Sequence, residues 1–342
     1  MTRSLRHILA ALACLALCGA LLAACGEDEE KSSGARGLLD ETFGSGAAAI
    51  ENGRLDVDFQ LDPKGLLALG GPIKLSLDGP FSSPDGGELP HFDVDFAATL
   101  AGDVFEGAVL STGRAAFVRL DGTAYKIDRE FVAELREGLA DAADEKQPGL
   151  KALGVDPLRW ISNAQERGNE RIDGVETTRI SGDVEVAKLL EDIDRLLTKA
   201  GGSGDGGDLL SPKIRQQISA AVKSAKADIW TGTSDKILRQ LAVRISFAFD
   251  EGEKPITGLD SGIINLRLRL ADVNKTSVSV DAPAGARPLD ELTGGGIGAF
   301  LDGIGNGLSG KGTLATGQFL GCITGSGGNS ADLVSCISKL AD

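Results

Sequence analysis

Apolar residues recur at every second position over several stretches of this chain, a spacing that fits strands with one buried and one wet face. Leu55, Val57, Phe59 and Leu61 alternate with Asp56, Asp58 and Gln60; Ile73, Leu75 and Leu77 follow. Phe92, Val94, Phe96, Ala98 and Leu100 then alternate with Asp93, Asp95 and Ala97. Such alternation belongs to antiparallel sheets, because parallel strands are covered on both faces and read as continuous apolar runs. Further strands are expected at Phe105 to Leu110, Ala115 to Leu120 and Thr123 to Ile127, with Asp121-Gly122 as the hairpin turn between the last two.

A helical period takes over with Phe131, Val132, Leu135 and Leu139. Glu170 to Ile180 reads as a hairpin turning at Asp173-Gly174. A second amphipathic helix carries Val186, Leu189, Leu190, Ile193, Leu196 and Leu197, and a third opens with Ser211 as N-cap and Pro212 at the first helical position. Strands return with Leu241, Val243, Ile245, Phe247 and Phe249 on one face, then Ile264, Leu266, Leu268 and Leu270 against Asn265, Arg267 and Arg269; Val278 and Val280 close the set before Pro283. Helices grouped between strand-rich regions predict an α+β architecture with an antiparallel sheet of roughly ten strands, in place of an alternating parallel one.

The ends of the chain carry different information. Arg3 and Arg6 precede an apolar run from Ile8 to Leu22, then Ala23, Ala24 and Cys25. The run is too short for the roughly 20 residues a spanning helix needs, so residues 1–24 read as a signal peptide. The order Leu22, Ala23, Ala24, Cys25 resembles the bacterial lipobox, which implies an acyl chain such as palmitate on Cys25. Residues 25–46 are acidic and rich in serine and glycine, and are expected to form a flexible tether of about 25 Å span. Taking Arg3 and Arg6 from the 35 basic residues leaves 33 against 50 acidic, a mature net charge of −17. That balance argues against a nucleic-acid partner and leaves the lipid as the attachment to the membrane. Residues 291–342 are a glycine-rich tail with weak helical spacing. Cys322 and Cys336 are the two cysteines left beyond the anchor, an even pair for which a disulfide is the expected state outside the cytoplasm, with two buried thiols as the alternative. That bond would add about 3 kcal/mol by loop entropy.

Chemistry is sparse. His91 is the single histidine of the mature chain and has no local nucleophile or base beside it. There is no G-x-S-x-G, no P-loop and no H-E-x-x-H, so no enzyme, metal or cofactor is expected. The carboxylate pairs Asp56 with Asp58 and Asp93 with Asp95 read as a solvated strand face.

Three stretches, GRAAFVRLDGTAYKID (113–128), ADIWTGTSDKILRQLAVRISFAF (227–249) and LRLRLADVNKTSVSVDAP (266–283), resemble the LppX/LprAFG lipoproteins within the wider LolA-like group. The resemblance spans residues 47–290. It implies a strongly curved, incomplete β-barrel with helices on its concave side and an apolar cavity between them that holds a lipid or acylated molecule. Leu55, Val57, Phe59, Val94, Phe96, Leu189, Ile193, Val243, Ile245 and Phe247 are the candidates for lining it. The chain is then expected to be a lipid carrier anchored to the outer face of the bacterial cytoplasmic membrane. The alternative is a sensory or scaffolding lipoprotein that uses the same fold to bind an envelope protein, with a filled interior and an exposed apolar patch.

Replacing Cys25 by Ser is expected to move the expressed protein from the detergent-rich to the aqueous phase in a Triton X-114 partition; an unchanged partition contradicts the anchor.

Overall fold

The computed structural model describes residues 34–44, 46–65, 71–83, 89–100, 102–130, 132, 133, 136, 137, 155–200, 212–250, 259–275, 278–289 and 291. The expected signal peptide, Cys25, Cys322, Cys336 and the glycine-rich tail after residue 291 lie outside the described residues, as do much of the first expected helix and Ser211. The fold is mostly β: one large, open, curled sheet with a few helices.

Six strands form the first half: β1 (Asn52–Lys64), β2 (Ile73–Ser82), β3 (His91–Leu100), β4 (Asp103–Thr112), β5 (Ala116–Leu120) and β6 (Thr123–Lys126). The second half holds β7 (Ile161–Ile172), β8 (Val175–Val184), β9 (Val222–Gly232), β10 (Leu238–Ala248) and β11 (Ser261–Ala271). Within each half consecutive strands are neighbours, so each is an antiparallel meander. The halves are joined by β1 and β11, paired antiparallel from Arg54 opposite Ala271 to Lys64 opposite Ser261. A two-residue strand β12 (Arg287–Pro288) lies parallel to β6, giving the order β12-β6-β5-β4-β3-β2-β1-β11-β10-β9-β8-β7.

Both expected Asp-Gly turns form. Asp121 and Gly122 have φ of 49° and 77°, and Asp173 and Gly174 have 49° and 79°, positive at both central positions as a tight right-twisting hairpin requires.

The helices are α1 (Ala35–Phe43), α2 (Pro157–Trp160), α3 (Val186–Ala200) and α4 (Pro212–Ala221). α2 starts with Pro157 at its first position and an Asp156 cap, whose side chain accepts from the Leu158 N–H at 3.1 Å. α3 falls where the 3.6-residue spacing places it, and α4 begins at Pro212 as expected.

Two expectations need correction. First, residues 35–43 of the expected tether are a helix, not a free linker. Leu39 is fully buried, Ala35 and Phe43 nearly so, and all three belong to the main core cluster. Arg36 donates to the Leu158 and Ile161 carbonyls at 2.9 and 3.3 Å, and the Thr42 hydroxyl is 2.8 Å from that of Thr231 on β9. Leu38, Leu39 and Phe43 are too few to announce an amphipathic helix against the polar run before them; the site on the sheet decides. Second, Val278 and Val280 are not in a strand. Both edges of β11 are already taken by β1 and β10, so the chain crosses to the free edge of β6. On the way Val280 and Ala286 cover a small cluster of Ala108, Leu110 and Phe117.

Leu39→Ala is expected to lower the unfolding free energy by about 3 kcal/mol, because a fully buried leucine leaves a cavity. Urea unfolding of both proteins checks it; a change under about 1 kcal/mol means α1 does not close the core.

Candidate functional site

Register sorts the sheet into two faces with different chemistry. On the apolar face Leu55 lies opposite Leu270, and Val57 lies between Leu77 and Leu268. Phe59 lies between Leu75 and Leu266, with Ala98 beyond Leu75 and Val243 beyond Leu266. Leu61 lies between Ile73 and Ile264, with Ile245 beyond Ile264.

Packing is not even along these rows. Leu55, Leu270, Val57 and Leu77 are at most 2% exposed. Two residues further along β1 the side chains of Phe59, Leu75, Leu266 and Ala98 are only half-buried, as are Leu61, Ile73 and Ile264 in the next row. The core is therefore tight toward one end of β1 and looser toward the other. α3 meets the main cluster through Leu189 and Leu190, both half-buried, and Val186, which is buried.

The structure brings the ten expected lining residues partly together. Leu55, Val57, Phe59, Val94, Phe96, Val243, Ile245 and Phe247 share the apolar face by register. Leu55, Val57, Val94, Val243 and Ile245 are buried within the main core, while Phe59, Phe96, Leu189 and Ile193 are half-buried. Phe247 stands apart, packed with Ala221 and Leu259 and 5.4 Å from the Phe249 ring. Leu75, Leu266 and Ala98 belong to the looser area and were missed, because only strand register, not period, places them beside Phe59.

α3 is held by buried acid groups that period alone could not single out. Asp192 is fully buried; it accepts from the Asp156 N–H at 2.6 Å and from Arg159 at 2.9 Å, and it pairs with Arg195. Asp194 meets Arg215 of α4 at 2.6 Å. Burial pushes the Asp192 carboxyl above its ordinary range, opposed by the Asp156 N–H and the two guanidiniums.

The opposite face is polar and laced with ion pairs: Arg54 with Asp78, Arg267 with Asp58 and Asp56, Arg269 with Asp173, and Arg119 with Asp93 and Asp95. The two expected carboxylate pairs are thus bound to arginines as well as wetted. Burial raises Asp56 and Asp93 above the usual carboxylate range; Arg267 and Arg119 oppose it. Arg179 lies 5.1 Å over the Trp230 ring and pairs with Glu170 and Asp228, and the Trp230 N–H donates to Glu170 at 2.9 Å. A trough of about 670 Å³ crosses this face from β9 to β3. Its side chains include Asp58, Gln60, Lys74, Ser76, Arg244 and Asn265. His91 is the first residue of β3. Among the described residues no group of three histidine, cysteine, aspartate or glutamate side chains gathers as a metal site needs, and no helix is long and apolar enough to cross a membrane.

No protein-family model and no curated protein matches the chain. Solved structures similar to it include LprF from Mycobacterium bovis, at 17% identity and a TM-score of 0.36, covering 73% of this chain and 97% of that one. The lipoprotein LppX from Mycobacterium tuberculosis is 18% identical with a TM-score of 0.32, covering 67% and 89%. A lipoprotein-sorting protein domain from Vibrio parahaemolyticus is 6% identical with a TM-score of 0.17, covering 67% and 87%. LppX and LprF are the kind of protein that the three sequence stretches resemble. At these scores the function has to be read from the chain's own residues.

A carboxyl whose folded pKa is raised takes up a proton on folding. Its contribution is complete below the ordinary carboxylate range and is lost as pH rises through the raised value. The stability of the wild type relative to Asp192→Asn is therefore expected to fall as pH rises from about 4. Urea midpoints of both proteins across the acid range test it; a difference that grows with pH contradicts the sign.

Proposed function

We propose that this protein is a lipoprotein of the bacterial envelope that holds a lipid or acylated molecule against the looser part of its apolar face and carries it to or from the membrane. One observation supports the reading most: Phe59 and Leu61 and their neighbours on β2 and β11 stay half-buried, although Leu55 and Val57 on the same strand are sealed. A face meant only for folding gains by closing along its whole length, since each CH₂ withdrawn from water contributes about 0.8 kcal/mol. An acyl chain laid along Phe59, Leu75 and Leu266 gains that same burial, with no polar contact needed. α3 packs against the main core through Leu189 and Leu190, and its buried clips at Asp192 and Asp194 fix it to α2 and α4.

Lipidation of Cys25 places this face near its source of ligand. The helix α1 shortens the expected tether to residues 26–34, about 17 Å of random-coil span, so the body stays close to the bilayer. The Cys322 to Cys336 disulfide belongs to the same proposal and would staple the glycine-rich tail.

The secreted Cys25→Ser protein, examined by native mass spectrometry, is expected to carry a bound lipid. Phe59→Asp places a charge on the half-buried floor and is expected to cut the lipid-bound fraction at least fivefold while leaving the circular dichroism spectrum unchanged. A wild-type protein that never carries lipid, from its own membrane or from added fatty acid, overturns the reading.

A further inference from the structure

The trough lies on the face turned away from the apolar rows, and two cross-strand rows of side chains line it. One runs Thr99, Lys74, Gln60, Asn265, Arg244, Lys226 from β3 to β9; the next runs Ala97, Ser76, Asp58, Arg267, Ala242, Asp228. Phe59, Leu75, Val243 and Leu266 alternate with these side chains along the strands, so their backbone forms the floor. Six strands at about 4.8 Å spacing make a trough about 24 Å long.

Its charge opposes that of the whole chain. Four basic residues line it against two acidic ones, in a protein of net charge −15. Lys226 pairs with Asp183 and Arg267 pairs with Asp58. Lys74 and Arg244 are exposed and have no carboxylate partner among the described residues; Arg244 donates to the Asn265 amide oxygen at 2.7 Å. They stand in the same row three strands apart, about 14 Å. Between them lie the Gln60 and Asn265 amides; the Gln60 nitrogen donates to Asp62 at 2.8 and 3.0 Å, which leaves the Gln60 oxygen and the Asn265 nitrogen for a ligand, and Ser76 and Thr99 beside Lys74 add hydroxyls. Neither row carries an aromatic side chain on which a base could stack.

We infer that this trough binds a hydroxyl-rich polyanion, a soluble sugar chain carrying carboxylate or phosphate groups, with Lys74 and Arg244 each taking one anionic group. The Gln60 oxygen, the Asn265 nitrogen and the Ser76 and Thr99 hydroxyls match sugar hydroxyls as both donors and acceptors. An elongated ligand suits a groove that crosses strands, because the floor's backbone groups are already used in the sheet and recognition falls to the side chains. The site is independent of the apolar face and stands whether or not that face holds lipid.

The test uses the full-length protein purified from membranes in mild detergent. Isothermal titration with hexagalacturonate is expected to show binding that weakens as salt rises from 50 to 500 mM, and the neutral maltohexaose is expected not to bind. Lys74→Gln with Arg244→Gln together should weaken hexagalacturonate binding at least tenfold. Both side chains are exposed, so the thermal midpoint and the lipid-bound fraction should stay unchanged. The inference is overturned if the wild type does not bind hexagalacturonate, if maltohexaose binds equally, or if the double variant binds as well as the wild type. Binding confined to phosphatidylglycerol vesicles, with none to the soluble oligosaccharide, overturns it too. A wild type that binds hexagalacturonate but never carries lipid contradicts the carrier reading alone.

Discussion

The pairing of β1 with β11 is the constraint on which the rest of the structure depends. Each meander could assemble from neighbouring strands, but neither alone has a face wide enough to make one continuous core. Pairing over Arg54 to Lys64 turns two half-sheets into one. It brings together residues as far apart in sequence as Asp58 and Arg267, 209 positions from each other. Such non-local pairing comes late in folding, since loop closure has to be met before contacts reward it.

The seam also gives each face its character. A register slip of one residue would send Leu266 and Leu268 to the polar side and Arg267 and Arg269 to the apolar side. The ion pairs that Arg267 and Arg269 make with Asp58, Asp56 and Asp173 oppose that slip. Each pair is exposed and contributes little to stability by itself. Their value is in register, which holds the apolar rows in line across β2, β1, β11 and β10.

Much of this was legible in the sequence. Period two placed Leu55, Val57 and Phe59 on one face, and two Asp-Gly pairs marked hairpins that form as read. The order of strands was not legible, because nothing in the residues of β1 names β11 as its partner over any other strand. Helix α1 was hidden for a related reason: Ala35, Leu39 and Phe43 acquire their meaning from the patch they cover, while the acidic and serine-rich run before them suggested a linker. The clips through Asp192 and Asp194 looked like ordinary solvent-side charges of an amphipathic helix, since their partners lie on α2 and α4. The unequal packing along β1 was equally invisible, as Leu55 and Phe59 occupy equivalent positions in the pattern and differ only in what lies above them.

The central position of β1 bears on how the molecule carries mechanical load. Tension entering at residue 34 passes through α1 to the start of β1, and that strand is flanked by β2 on one side and β11 on the other. Antiparallel hydrogen bonds run perpendicular to the strand, so a pull along β1 is resisted in shear by two ladders at once. An edge strand would instead peel open one bond at a time. A pull applied at the amino-terminal end of the described body would therefore be met by the strand best placed to withstand it.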